Sequence, residues 1–259
     1  MIEIQNIKQH IFSVLKNAKK SNVIIAVSGG IDSATALHLL KNTIPLKQIY
    51  VLHLYYFKDS IKRFYAVIDP INFPKEHVLL YSIKDQVDSI ANELQIEKRD
   101  SFLHGNDVGL YGKIRVGNIM ARTRMTYLFD QAKKLDALVC GTENRTEHYL
   151  GYFTRFGDAA SDFEIINHLY KTQIRILAKY LHVSQEIIDA VPSAGFWEGQ
   201  TDECELGFSY DEIDHVLHGY FDHKRSPQEL IRAGHKNTRE ILEIVTKNRF
   251  KHEVPYVME

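Results

Sequence analysis

The sequence predicts an α/β fold: a doubly wound, mostly parallel sheet with helices on both faces and a helical C-terminal extension. Three observations predict it. Residues 22–27 and 136–140 are short, continuous apolar runs of strand length, the pattern of strands covered on both faces. Helical stretches separate the strand runs at βαβ spacing. Two runs end in polar glycine-containing turns, Ser28-Gly29-Gly30 and Gly141-Thr142-Glu143. Parallel strands place both turns on one sheet edge, where such folds bind ligands.

Each element has its own signal. Ile4, Ile7, Ile11 and Leu15 recur at helical spacing through residues 4 to about 20. After the first strand, Asp32-Ser33 opens a helix that runs through Leu40. Residues 48–54 and 77–82 read as strands, and 84–94 as a helix. A polar, glycine-rich loop is expected at about 104–112, then a helix over 117–135 and the strand 136–140, closed by Gly141. Beyond Gly151 the chain is loop-rich, then helical at 171–181 and 186–190. A second polar loop spans 192–207, and 210–249 is mostly helical. No repeat, low-complexity tract or linker divides the chain. The expectation is therefore one domain over 1–259. Its core covers about 20–182, and a C-terminal loop and helical extension cover about 183–259.

Composition narrows the function. The 259 residues are 44% hydrophobic and 25% charged, which excludes a disordered or collagen-like chain. Lys+Arg of 32 against Asp+Glu of 33 leaves a net charge of -1, so no global basic field exists to hold nucleic acid. Two cysteines, Cys140 and Cys204, cannot form a disulfide framework or a cysteine-based zinc site. They are read as reduced thiols of a cytoplasmic protein. The first twenty residues carry charge throughout and contain no apolar signal core. The longest apolar runs are strand-sized, so no membrane association is expected. The histidines show no paired metal-ligand spacing.

The sharpest feature is Ser28-Gly29-Gly30-Ile31-Asp32-Ser33 between a buried strand and a helix. Adjacent glycines let backbone N–H groups turn toward an anion, and the helix adds its N-terminal N–H groups and dipole. Ser28 and Ser33 can donate to phosphate oxygens. Asp32 suits a magnesium ion that bridges phosphates. Neither G-x-x-x-x-G-K-[ST] nor G-x-G-x-x-G occurs in the chain. A plain strand-to-helix turn capped by Asp32 or Ser33 is the bland alternative. The full hexapeptide after a β-branched run resembles the phosphate loop of the ATP pyrophosphatases, which split ATP into AMP and pyrophosphate.

Further blocks follow in order: Gly117-Asn118-Ile119-Met120-Ala121-Arg122-Thr123-Arg124-Met125, Gly141-Thr142-Glu143-Asn144 and Glu147. Then come Gly151-Tyr152-Phe153-Thr154-Arg155-Phe156-Gly157-Asp158, Leu169-Tyr170-Lys171-Thr172-Gln173 and a loop from Pro192 to Gly207. Together they resemble the ammonia-dependent NAD synthetase family over roughly residues 23–210. The resemblance implies that deamido-NAD is adenylated by ATP and that ammonia then displaces AMP. It implies that residues Ser28, Gly29, Gly30, Ile31, Asp32 and Ser33 hold ATP and pyrophosphate, with Arg122, Thr142, Lys171 and Ser193. It assigns magnesium to Asp32 and Glu147, and deamido-NAD to Asn118 and Asp162. Catalytic roles fall to Lys171, against the polyphosphate, and to Asp158, as the base that receives ammonium.

The resemblance also implies a homodimer. The stripe Ile119, Met120, Tyr127 and Leu128 is either its interface or intrachain core. Phe196 and Trp197 either stack on a base or anchor a packing surface. Arg124 is either a structural salt-bridge residue or a ligand contact. The stretch after the second strand, from Leu54 to Tyr65, departs from the family pattern, so no adenine-side residue is assigned within 54–83. Two other functions remain: an ATP pyrophosphatase with a different acceptor (GMP-synthetase-like amidation or RNA thiolation), and a nucleotide-binding regulator without catalysis.

Overall fold

The computed structural model describes residues 4–96 and 108–253. Its strands are β1 (Asn22–Ala26), β2 (Ile49–Tyr55), β3 (Val78–Ser82), β4 (Ala137–Gly141) and β5 (Phe163–Glu164). They form one five-stranded sheet in the order β3-β2-β1-β4-β5, every neighbouring pair parallel. The helices are α1 (Ile4–Ala18), α2 (Ile31–Lys41), α3 (Ser60–Ile68), α4 (Lys84–Glu93), α5 (Val108–Lys134) and α6 (Arg145–Leu150). They continue as α7 (Lys171–Tyr180), α8 (Gln185–Ile188), α9 (Asp202–Leu206), α10 (Tyr210–Leu217), α11 (Pro227–Arg232) and α12 (Thr238–Asn248).

The pleat sorts the side chains into two layers. Val23, Ile25, Ile49 and Val51 face a core built with α1, α2, α3, α7 and α8. Ile24, Leu52, Leu54 and Val139 face a second core built with α4 and α5. Covering both faces explains why β1 reads as an unbroken apolar run. Burying each such side chain contributes about 1.5–3 kcal/mol. A third cluster, with Leu150, Tyr210, Ile213, Leu217, Leu230 and Ile241, unites α6, α10, α11 and α12. The chain passes from β1 to β2 on one side and returns to β4 on the other. The crevice beyond the C-terminal ends of β1 and β4 is thus the topological switch point.

Four features differ from expectation. Helix α5 is 27 residues long and begins at Val108, so 108–112 is helical rather than looped; residues 104–107 lie outside the described residues. Gly109 and Gly112 read as loop markers, but each costs only about 1 kcal/mol in a helix. Packing of α5 on the sheet offsets that. Second, the 192–207 loop contains α9, whose first turn is capped by Thr201 Oγ1 accepting from Cys204 N at 3.3 Å. Third, α3, α6 and β5 were not expected. Fourth, the α5 stripe is intrachain core: Met120 and Leu128 are buried, and Ile119 and Tyr127 pack against them. The outward apolar residues of α5 are Leu110, Tyr111 and Ile114.

Helix α3 lies directly on the phosphate turn. Gly29 has φ +89°, and a Cβ there would sit 2.6 Å from Arg63 Cβ and 3.0 Å from the Arg63 carbonyl carbon. Backbone cannot swing aside as a side chain can. Gly29→Ala is therefore expected to lower stability by about 1–3 kcal/mol. The readout is a lower urea midpoint with unchanged slope; an unchanged midpoint would contradict this packing.

Candidate functional site

The turn after β1 is knitted by its own hydroxyls. Ser28 N donates to Ser33 Oγ at 3.2 Å, and Gly30 N donates to Ser28 Oγ at 3.1 Å. Ser33 Oγ donates to Gly30 O at 3.1 Å. Gly30 is the N-cap of α2 and offers no side chain to the helix end. The first N–H groups of α2, at Ile31 and Asp32, have no intrahelical acceptor and open onto the switch point. The result is a preformed anion cradle.

Beside it lies a buried ammonium held by two carboxylates. Lys171 Nζ is 2.5 Å from Asp32 Oδ2 and 3.2 Å from Glu147 Oε1. The two acids come from different strand-end elements, α2 after β1 and α6 after β4. Asn144 joins them: its Oδ1 caps α6 by accepting from Glu147 N, and its Nδ2 donates to Asp32 Oδ1 at 3.1 Å. Lys171 is 2% exposed and its Nζ lies 5.0 Å from the centre of the Tyr210 ring.

The lysine is placed by a second, largely buried network. Lys171 N donates to Thr146 Oγ1 at 2.9 Å, and Thr146 Oγ1 donates to Asp214 Oδ1 at 2.5 Å. Thr172 N donates to Asp214 Oδ2 at 2.8 Å. Asp214 on α10 therefore caps the start of α7 and locks the lysine's backbone. Burial would strip the ammonium's proton, but Asp32 and Glu147 reverse that and hold it above its ordinary range. Burial pushes the Glu147 carboxyl up, against the pull of Lys171. Two oxygen donors from separate elements thus converge on one positive charge. That donor set also fits a hard divalent cation, with the lysine ammonium standing beside its place.

A second face of the site is built around Asp158. Thr154 N donates to Asp158 Oδ1 at 3.0 Å, and Thr154 Oγ1 donates to Asn118 Oδ1 at 2.7 Å. Asp158 is itself exposed, and desolvation by the protein packed around it raises its carboxyl above the ordinary range, opposed by the Thr154 N–H. Next to it is a cavity of about 280 Å³ lined by residues that include Glu143, Arg155, Phe156, Lys251 and His252. Lys251 Nζ donates to the carbonyls of Gly151 at 2.6 Å and Phe153 at 3.0 Å. Burial lowers its pKa, and Asp158 works against that.

Most of the sequence-derived residues gather here. Ser28, Gly29, Gly30, Ile31, Asp32 and Ser33 form the cradle, and Glu147 and Lys171 complete the charge cluster. Thr142 sits on the strand-end turn of β4. Arg122 Nε donates to the Arg155 carbonyl at 3.3 Å, beside the cavity. Asp162 spends one oxygen on Val139 N at 2.7 Å, at the edge of β4. Ser193 lies on the exposed 192–201 loop, where its Oγ accepts from Gly195 N at 3.1 Å. Arg124 donates through Nε to Leu54 O at 3.1 Å and lies 5.6 Å from the Phe196 ring centre. Desolvation lowers its pKa to about 10. Phe196 itself anchors the loop: a Cβ on Gly117 would meet its ring at 2.8 Å.

Sequence reasoning missed Asn144, Thr146, Asp202, Asp214 and Lys251. Asn144 had a usable signal, since Asn144-x-x-Glu147 is a capping-box spacing. Asp202, 4% exposed, accepts from the Tyr210 hydroxyl at 2.9 Å and adds to the field on Lys171. The others are brought in by packing over long sequence separations.

Comparison with known proteins places the sequence in a family. The family profile described as NAD synthase matches residues 3–255. The NH(3)-dependent NAD(+) synthetase of Chlorobium phaeobacteroides (strain DSM 266) is 37% identical over 91% of this chain and 81% of its own. That of Pyrococcus furiosus is 36% identical over 95% of this chain and 90% of its own. Among solved structures, NMN synthetase from Francisella tularensis superposes with a TM-score of 0.78 at 29% identity, covering 100% of both chains. NH3-dependent NAD synthetase from Campylobacter jejuni superposes with a TM-score of 0.75 at 26% identity, covering 99% of this chain and 97% of that one.

The Asp214 network has a measurable consequence. Asp214→Ala leaves Thr172 N and the Thr146 hydroxyl without their buried acceptor. The expected loss is about 2–4 kcal/mol of unfolding free energy, with turnover falling further because Lys171 loses its anchor. A variant of wild-type stability and turnover would contradict the positioning role.

Proposed function

The chain belongs to the NAD synthase family, and from that premise we propose that it amidates the nicotinate carboxylate of deamido-NAD to give NAD. Ammonia is the nitrogen donor, and ATP is cleaved to AMP and pyrophosphate. The observation that carries the reading is the convergence of Asp32, Glu147 and Lys171 on the phosphate cradle at the β1/β4 switch point. A regulator without catalysis has no need of such a buried charge cluster.

The chemistry follows from the charges. A carboxylate is a poor electrophile, so it must first acquire a leaving group. The nicotinate oxygen attacks the α-phosphorus, and the bond to the β-phosphate breaks. The cradle N–H groups and the Lys171 ammonium take up the charge of the departing pyrophosphate. Asp32 and Glu147 would hold a magnesium ion, which would supply positive charge against the polyphosphate. Ammonia then attacks the acyl carbon, AMP leaves, and Asp158 accepts the proton shed by nitrogen. Arg155 and Lys251 face the cavity beside Asp158 and suit the phosphate of a nicotinate ribotide. Asn118 and Asp162 border the same side. Arg122, Thr142 and Ser193 complete the ATP side.

We assign the outward Leu110, Tyr111 and Ile114 face of α5 to a homodimer. Among the described residues, no helix is long and apolar enough to cross a membrane. Cytoplasmic residence and one domain over the whole chain remain our reading.

One observation favours a second acceptor. The chain superposes over its full length on NMN synthetase from Francisella tularensis, and the cavity offers two cations to a single phosphate. Comparing kcat/KM for nicotinate mononucleotide and deamido-NAD decides between them. The reading above expects deamido-NAD to win; a preference for the mononucleotide of tenfold or more (about 1.4 kcal/mol) would reassign the acceptor.

The whole reaction is tested by product balance. With ATP, magnesium and deamido-NAD, the protein is expected to form NAD, AMP and pyrophosphate in equal amounts, and NAD only when ammonium is present. ADP as the product would refute α,β-cleavage. Asp158 must be ionised to act as the base. Its raised pKa predicts that, at fixed free ammonia, the ammonia step rises with pH through that pKa. Asp158→Asn is expected to abolish this limb while adenylation persists; equal loss of both steps would reject the base role.

A further inference from the structure

We propose that Arg63 is a further polyphosphate-binding residue, closing the phosphate cradle from the side opposite Lys171. This inference rests on the ATP reading above and deepens it. It concerns the stretch between β2 and β3, to which sequence reasoning assigned no ligand contact.

The position is set by backbone rather than by a side-chain pose. Arg63 Cβ, its carbonyl carbon and Phe64 N all lie within 3.2 Å of where a Cβ on Gly29 would be. Arg63 is therefore rooted on the first glycine of the cradle. Its root is itself pinned. His53 on β2 lies 2.7 Å from Val27 O through Nδ1 and 2.9 Å from Ser60 Oγ through Nε2. Its ring stacks on Phe64 with centroids 4.9 Å apart. Burial lowers the His53 pKa, so the neutral ring fastens the start of α3 to the residue before the cradle.

The rest of the arginine is free to act. Arg63 is exposed, and no hydrogen bond or ion pair links its guanidinium to another described residue. Beyond Cβ the side chain is long enough to bring its planar fork over the N–H groups that open α2. The charge around the cradle calls for it. Asp32, Glu147 and Asp202 lie around the buried cation Lys171, and all three carboxylates add to the field on it. An incoming polyphosphate meets that negative surround, and a second cation on the β2 side offsets it. A guanidinium can bind two phosphate oxygens at once, which an ammonium at the same root cannot. The bond-breaking step is unchanged: Arg63 holds the leaving pyrophosphate and accepts no proton.

The test is calorimetric titration of magnesium pyrophosphate, and separately of ATP, into the wild-type chain, Arg63→Ala and Arg63→Lys. The expected result is at least ~10-fold weaker pyrophosphate binding in Arg63→Ala, with Arg63→Lys between the two. KM for ATP should rise while KM for deamido-NAD stays unchanged, a split that a general structural defect would not produce. Urea midpoints check that all variants are folded, and Arg63→Gln supplies a second uncharged replacement. Wild-type-like pyrophosphate affinity in folded Arg63→Ala and Arg63→Gln would overturn the inference alone. If the wild-type chain bound neither pyrophosphate nor ATP, the proposed function would fail first and this inference with it.

Discussion

The structure turns on one buried charge. Lys171 places an ammonium out of water between Asp32 and Glu147, and everything near it answers the cost of doing so. A buried ion without partners costs several kcal/mol, so its surroundings must be paired and hydrogen-bonded. Here the partners come from α2, α6 and α7, and their supports from α10. Asn144 steadies Asp32, Tyr210 lies against the ammonium, and Asp214 with Thr146 fixes the lysine's backbone. Helix α10, packed on α6 and α7, joins the C-terminal helices to this cluster. They supply the second ring of bonds that lets a strand-end crevice carry concentrated charge.

The same constraint separates two reaction compartments. In the proposed reaction the phosphate side is the turn between β1 and α2, where backbone N–H groups and the lysine would meet anions. In the proposed reaction the acyl side is the 151–162 segment after α6, where Asp158, exposed, accepts from Thr154 N near a cavity of about 280 Å³. Adenylation needs positive charge, whereas proton removal from nitrogen needs negative charge. Placing both on adjoining strand ends brings them to one substrate while keeping their fields distinct.

What was legible in the sequence follows a physical rule. The phosphate turn was readable because its backbone path demands glycine: Gly29 sits at φ +89° against the backbone of α3. Strands β1 and β4 were readable because burial on two faces forces continuous apolar runs. Asp32, Glu147 and Lys171 were nameable through the family resemblance, each lying next to a recognisable strand or helix boundary. Helix α3 escaped because its aromatic and basic run did not match the family pattern, although Phe64, Val67 and Ile68 are its buried face. Strand β5 has only two residues, too few for any period to show. Asp214 and Thr146 meet across 68 positions, and no local pattern encodes that meeting. The glycines of α5 were misread because propensity is a small term against the packing of a long helix.

The central claim is that this crevice joins a carboxylate to the α-phosphorus of ATP and then releases it to ammonia. Labelling tests that most directly. Deamido-NAD carrying ¹⁸O in both carboxylate oxygens would be turned over with unlabelled ATP, magnesium and ammonium, and the products weighed by mass spectrometry. The account predicts one ¹⁸O in AMP, one retained in the NAD amide, and none in pyrophosphate. Unlabelled AMP, or label in pyrophosphate, would show that the carboxylate never bonded to the α-phosphorus and would contradict the account.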